Sequence, residues 1–284
     1  SVPHMASENS SPGDRGWIGR SIEGLGGLTH RTVERVGAVT GLILDVGVWI
    51  WRSLALRRVR FGRTAVITQM CRVGVQSVGI VLLVSGCIGF ILALQMKPAL
   101  ADFGQEDKIA NIVGVAVFRE LGPLISAIVL TGFAGAAISA ELGTMVVGEE
   151  IEALEAHALN PIRFLVVPRV IATTISLVML TVLANAIAVV AAGVMTVGIL
   201  GVDYNVYVSN TLNQLVLNDF LTGLIKAAAF GLILSAIACY NGLAVTGGAA
   251  GVGRATTDTV VQTVVSIIIA DFIFTGIFFF IGWT

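Results

Sequence analysis

Five stretches of this chain are each long and apolar enough to cross a bilayer, and that confines the fold more than any motif does. A hydrocarbon core about 30 Å thick needs ~20 apolar residues of helix. The runs 73–94, 109–140, 170–200, 221–245 and 259–281 meet that length. Inside hydrocarbon every backbone N–H and C=O needs a partner, which leaves helices or a closed barrel. The 33 glycines and 7% aromatic content suit close-packed helices better than a lumen fenced by aromatic girdles. Charged residues make up 12% of the 284, against ~25% in soluble domains, and mean hydropathy is +0.91. The expectation is an all-α integral membrane protein of about five transmembrane helices.

The charges assign the sides. Ten of the seventeen Lys and Arg residues precede Val73, and Arg163, Arg169 and Arg254 fall in alternate loops, whereas the opposite loops hold only Lys97 and Lys108. The positive-inside rule then puts the N-terminus in the cytoplasm and the C-terminus outside. Residues 1–16 read as a polar tail or cloning remnant without a signal-peptide pattern. Residues 17–64 read as a basic interfacial region, in which the apolar run near Asp45 closes on paired tryptophans and an arginine cluster. A re-entrant or short spanning helix is the alternative there. Residues 65–284 form the membrane domain. Between Asp203 and Asp219 a short external helix is expected, with Val206, Leu212, Leu215 and Val216 on one face. No internal repeat is evident.

Arg119 and Glu120 are adjacent charges deep inside the second run. Each costs at least about 2.5–3.5 kcal/mol to place in hydrocarbon, so each should face the protein interior or a watered cavity. Neighbours on a helix project about 100° apart, so each is expected to find its own partner on another helix. They either fix helix register as ion pairs or line a path for a polar headgroup. Gly122 and Pro123 follow directly and predict a kink. Asp271 interrupts the last run and should be buried and paired, protonated or hydrated. Lys226 enters the fourth near its outer end and is expected to snorkel. Rows at four-residue spacing, Gly132, Ala136 and Ala140 beside Gly135 and Ser139, predict close helix contact within the protomer or across a dimer.

Catalytic chemistry finds no foothold. The sequence has no HExxH, GxSxG or Cys/His cluster, and Cys71, Cys87 and Cys239 lack paired spacing. "GAAGVGRA", from Gly248 to Ala255, lacks the lysine and the Ser/Thr of a P-loop. No cofactor or metal is expected on this chain, and any energy from ATP and Mg²⁺ must come through a partner ATPase.

Between the second and third runs lies "GEEIEALEAHALNP", read as a short cytoplasmic helix over about 148–159. Glu149 and Glu150 sit in its first turn, where they favour the positive end of the dipole. Ile151 and Leu154 begin an apolar stripe, and Glu149, Glu152 and Glu155 share another face. Like charges on one face slightly destabilise an isolated helix, so the pattern suits docking to a partner. Glu149, Glu150, Ile151, Glu152, Leu154, Glu155 and Leu159 are the candidate coupling residues.

"FRELGP", "AISAELGTMVVGEEIEALEAHALNPIRFLVVPRVIA" and "AGVGRATTDTVV" resemble the MlaE/YrbE permease family, the membrane subunits of ABC transporters that work with MCE-domain proteins. The resemblance runs from about Arg60 to the C-terminus. It implies a multi-pass permease of the bacterial inner membrane, present as a homodimer or a pseudo-dimer with a paralogue. The implied partners are a cytoplasmic ABC ATPase docked at the helix after the second span, an MCE-domain lipid-binding protein outside, and a small cytoplasmic regulatory subunit; nucleic acid is not among them. The implied substrate is a lipid, typically a glycerophospholipid, in a cavity between permease subunits. Arg119 and Glu120 would meet its headgroup, and Leu83, Ile88, Leu92 and Leu94 its acyl chains. Two other readings stay open: a proton-coupled secondary transporter using Arg119, Glu120 and Asp271, and a structural scaffold of an envelope complex.

Overall fold

The computed structural model describes residues 37–49, 63–102, 104–105 and 108–283. The readings placed on 1–36 and 50–62, including most of the basic interfacial region, lie outside the described residues. The chain divides into two units, residues 1–41 and 42–284, and all that follows on packing concerns the second.

Among the described residues the structure is helical, with no strand. In chain order the helices are α1 (Gly37–Trp49), α2 (Arg63–Val73) and α3 (Val78–Ala101). There follow α4 (Ile109–Val147), the short α5 (Glu150–Ala156) and α6 (Ile162–Gly198). The chain ends with α7 (Tyr204–Gln214), α8 (Leu217–Leu243) and α9 (Gly248–Ile281). Five segments are long and apolar enough to cross a membrane: Thr64–Pro98, which runs through α2 and α3, and α4, α6, α8 and α9. Each is longer than its hydropathy run. Helical hydrogen bonding continues past the point where the side chains turn polar, as at Glu141–Val147 and Gly248–Asp258.

The centre of the bundle is α6 with α8 and α4. Over half of the apolar window of α8 is buried, against 11% for α9, so α9 lies at the periphery with Phe272, Phe279 and Phe280 exposed. The main core joins Leu130 and Leu142 of α4, Leu177 and Leu180 of α6, and Phe230 and Leu234 of α8. Small residues set the spacing, and the Gly135 and Ser139 row is the more deeply packed of the two foreseen. Gly135 packs on Leu234 and Ser139 lies against Gly242, whereas Gly132 faces open space. Buried hydroxyls fold back on their own helices: Thr131, Thr181, Thr196 and Ser235 each donate to the carbonyl four residues earlier at 2.7–2.9 Å. That answers the absence of water at this depth.

Prolines shape two of the helices. A proline lacks an N–H and its ring collides with the carbonyl four residues back, and the backbone answers by widening one turn. The π-helical turns Val117–Leu121 and Ile162–Val166 stand just ahead of Pro123 and Pro168. A third such turn, Thr131–Gly135, contains two glycines and no proline.

Candidate functional site: a charged cavity inside the bundle

The turn Val117–Leu121 carries Arg119 and Glu120. Gly122 N–H bonds to the Val117 carbonyl five residues back, and Pro123 has no N–H to offer, so the Phe118 carbonyl is freed from the helix ladder. It rests instead against Gly223 on α8, where an added Cβ would collide with it. The widened turn thus presses α4 onto α8 at the level of the two charges. Such turns recur at functional sites.

Each charge then finds a separate partner. Arg119 Nε donates to Asp219 Oδ1, and Asp219, 1% exposed, also accepts from the Val216 N–H at 3.2 Å. Glu120 Oε2 accepts from Lys226 Nζ at 2.5 Å. The same ammonium donates to Thr275 Oγ1 at 2.8 Å and lies 2.9 Å from Asp271 Oδ1 as an ion pair without hydrogen-bond geometry. The Thr275 hydroxyl stands 3.0 Å from Glu120 Oε1 and 2.9 Å from the Asp271 carbonyl. Three helices are tied here by three carboxylates and two cations. Lys226 does not snorkel: it is 1% exposed, because Glu120 and Asp271 converge on it and make the interior a better place than the interface.

A cavity of about 210 Å³ opens on this cluster, lined by Arg119, Glu120, Thr222, Lys226, Thr275, Phe278 and Trp283. Its charged floor and aromatic wall suit an amphiphile with a polar end. The structure brings Arg119, Glu120, Lys226 and Asp271 together. Leu83, Ile88, Leu92 and Leu94 do not line this cavity. Leu83 instead borders a groove of about 520 Å³ between α3 and α6, Leu92 packs with Ala93 and Val113, Leu94 is exposed and Ile88 is half-buried. The sequence reading missed Asp219, Thr222, Thr275 and Trp283. A signal existed: Asp219, Thr222 and Lys226 are spaced i, i+3, i+7 and Asp271 and Thr275 i, i+4, each set on one helix face.

Residues 66–277 match the family model described as Permease MlaE. The chain belongs to the MlaE permease family. It is 39% identical over 216 residues to a probable ABC transporter permease protein of Rickettsia prowazekii, covering 75% of this chain and 83% of that one. It is 36% identical over 217 residues to the intermembrane phospholipid transport system permease protein MlaE of Haemophilus influenzae, covering 76% and 83%. The chloroplastic protein Trigalactosyldiacylglycerol 1 of Arabidopsis thaliana is 34% identical over 213 residues, 75% of this chain and 61% of that protein. Membership makes this MlaE-family chain a transport permease and not an enzyme. The matched residues take in every charge of the cluster and leave out α1 and Trp283.

Two further features belong to this MlaE permease. At the α5 end, Glu141 of α4 holds Arg72 of α2 at 2.9 Å and Arg169 of α6 at 3.1 Å, and Arg169 also donates to the Leu165 carbonyl. Beside this clamp α5 is seven residues long, with Glu149 and Ala158 in left-handed conformation at its two ends. Ile151 and Leu154 pack on the main core. The apolar stripe expected to meet a partner therefore belongs to the bundle. The surface left open carries Glu149, Glu150, Glu152, Glu155 and Leu159.

At the opposite end, α7 starts on Asp203, whose carboxylate accepts from the Asn205 and Val206 N–H groups. Its buried residue is Tyr207, 6% exposed, and not Leu212 or Val216, which are 72% and 56% exposed. Burial pushes the Tyr207 phenol up from its ordinary range, a hydrogen bond with Thr211 opposing.

Proposed function

We propose that this permease is the membrane subunit of an ABC transporter that moves glycerophospholipid between the inner membrane and MCE-domain partners. Hydrolysis of ATP in a separate subunit drives it. The observation that carries the reading is the cavity in which Arg119 and Glu120 stand among apolar and aromatic walls, in a family whose Haemophilus influenzae member is named for phospholipid transport. Arg119 commits only its Nε to Asp219, which leaves its outer nitrogens to meet a phosphate with charge-assisted hydrogen bonds. Lys226, hydrogen-bonded to Glu120 and Thr275 and ion-paired with Asp271, serves as the hub that holds Glu120 in place.

The permease works as a homodimer in the bacterial inner membrane, with its N-terminus in the cytoplasm and its C-terminus outside. The ATPase docks on the acidic face of α5. Because Ile151 and Leu154 root α5 in the bundle core, a push on that face passes directly into α4 and α6.

The test is the subunit composition of the complex purified from native membranes, with mass spectrometry of its bound lipid. A nucleotide-binding subunit and a co-purified glycerophospholipid are expected; a complex without such a subunit rejects the reading. Arg119→Gln should abolish lipid transfer while assembly survives. Glu152→Lys with Glu155→Lys should release the ATPase and leave membrane insertion unchanged. A second reading draws on the excess of one carboxylate in the cluster, namely proton-coupled transport. Lipid transfer driven by a pH gradient with no ATPase present would establish that reading and overturn the first.

A further inference from the structure

A second cavity shares no lining residue with the charged one. It occupies about 560 Å³ between the last three turns of α6 and the length of α7, and its walls are two facing stripes. From α6 come Val190, Val194 and Val197 with the glycines between them. From α7 come Tyr204, Tyr207, Val208, Thr211 and Leu212, spaced i, i+3, i+4, i+7 and i+8. The gap has a structural cause. Tyr207 lies against Gly193, where an added Cβ would come within 2.8 Å of the ring, and its hydroxyl donates to the Val189 carbonyl at 2.8 Å. The tyrosine pins α7 to α6 at one point and holds the valine stripe away from the rest of α7.

We propose that this cavity binds one acyl chain of a bilayer phospholipid, as a lipid site separate from the charged cavity. The chemistry of the wall selects the ligand. Its buried hydroxyls are both engaged within the protein, Tyr207 on the Val189 carbonyl and Thr211 on the Tyr207 carbonyl at 2.9 Å, so the lining presents hydrocarbon. Water needs two to four polar partners to occupy such a space and finds none.

Size narrows the choice. With each methylene taken at about the ~30 Å³ of a liquid water, the cavity holds one chain of about 18 carbons. A helix about 10 Å across and rising 1.5 Å per residue would fit only about five residues into it, too few for a membrane-spanning partner segment. Access selects the source. Val190 and Val194 are each 60% exposed, so the cavity opens sideways onto the surface that the bilayer covers. A chain can enter while its headgroup stays at the level of Tyr204 and Tyr207, where amphipathic rings settle. The occupied site would brace α7, which runs through Leu215 and Val216 into the start of α8, where Asp219 holds Arg119.

The experiment reconstitutes the full chain in phosphatidylethanolamine and phosphatidylglycerol vesicles containing a phosphatidylcholine with a terminal diazirine on one chain. Photolabelled peptides are then mapped. Label on Val190, Val194 and Leu212 should exceed severalfold that on Met179 and Ile268, which are comparably exposed but lie outside this cavity. Equal label at all these positions means ordinary bilayer contact and overturns the proposal. Val194→Trp, which fills the cavity, should abolish the excess, and Leu183→Trp on the same helix should leave it unchanged. Should Val194→Trp not fold, the wild-type labelling pattern decides alone. Palmitate added to the same vesicles should leave the excess unchanged; loss of the excess on adding palmitate would assign the site to free fatty acid and overturn the phospholipid. A benzophenone amino acid at Leu212 in native membranes should capture lipid, and capture of a polypeptide there overturns the proposal. Arg119 contributes nothing to this cavity, so its Arg119→Gln variant should label normally, which separates this failure from failure of the charged site.

Discussion

Among the described residues two ion clusters each join three helices, and they are built on different terms. At the Arg119 level, Lys226 and Asp219 are both 1% exposed and form the dry centre of the cluster, while Arg119 and Glu120, 26% and 37% exposed, face the cavity. At the α5 end, Glu141 gathers Arg72 and Arg169, but Arg72 is 51% exposed and Glu141 28%. The first cluster carries one acid in excess and borders the cavity with aromatic walls; the second carries one base in excess and stands beside α5. A charge without water must be satisfied by its neighbours alone, so removing one member strands the others, whereas a partly wet ion pair hands its members back to solvent. The same residue types therefore act as obligate structure in one place and as adjustable contact in the other.

The largest effect should come from the hub of the deep cluster. Lys226→Met removes the only cation that Glu120 and Asp271 share and should cost about 3–5 kcal/mol, the range for breaking a buried pair from one side. Thermal unfolding of the detergent-solubilised protein measures it. The neutral triple Glu120→Gln, Lys226→Met, Asp271→Asn should recover most of that loss, because no charge is then left unpaired. A triple variant as unstable as Lys226→Met would mean that the lysine acts by packing, and the contrast between the clusters would lose its basis.

Legibility in the sequence follows what is local. Hydropathy over ~20 residues is a property of one segment, and it located the five spans; the α5 helix and its acids were equally visible between Gly148 and Asn160-Pro161. Arg119, Glu120 and Asp271 stood out because a charge in an apolar run is anomalous wherever its partner is. Their charge partners lie 100, 106 and 45 residues away along the chain. Pro123 announced a disturbed helix, yet the direction of the disturbance, toward Gly223 on α8, is a tertiary fact. The stripe of Ile151 and Leu154 was legible as apolar, but that it packs in part on the protein's own core was not, since a short helix's apolar face cannot say what will cover it. Tyr207 was passed over for the aliphatic residues of its segment, because its role depends on the absence of a side chain at Gly193.

An intermediate effect should separate the two arms of the outer clamp. Arg169 is 5% exposed and gives one nitrogen to Glu141 and another to the Leu165 carbonyl. Arg169→Met should cost about 1–3 kcal/mol, the penalty of leaving a buried acceptor unmet. Glu141 keeps Arg72 and its access to water, so the cost should stay below that of Lys226→Met in the same unfolding assay. Equal losses would place the clamp in the same class as the deep cluster.

The smallest effect belongs to the exposed arm. Arg72→Ala removes an ion pair of 2.9 Å whose arginine is half in solvent, and exposed pairs contribute about 0–1 kcal/mol. Whatever it contributes should shrink as salt is raised, because the Debye length falls from about 10 Å at 0.1 M to about 3 Å at 1 M, while the effect of Lys226→Met should hardly change over that range. Unfolding both variants across a salt series therefore tests the comparison directly. A loss above about 2 kcal/mol for Arg72→Ala that persists at 1 M would exceed what a wet pair supplies. It would mean that Arg72 works through the packing of α2 on α6, with its aliphatic stem and not its charge as the part that matters.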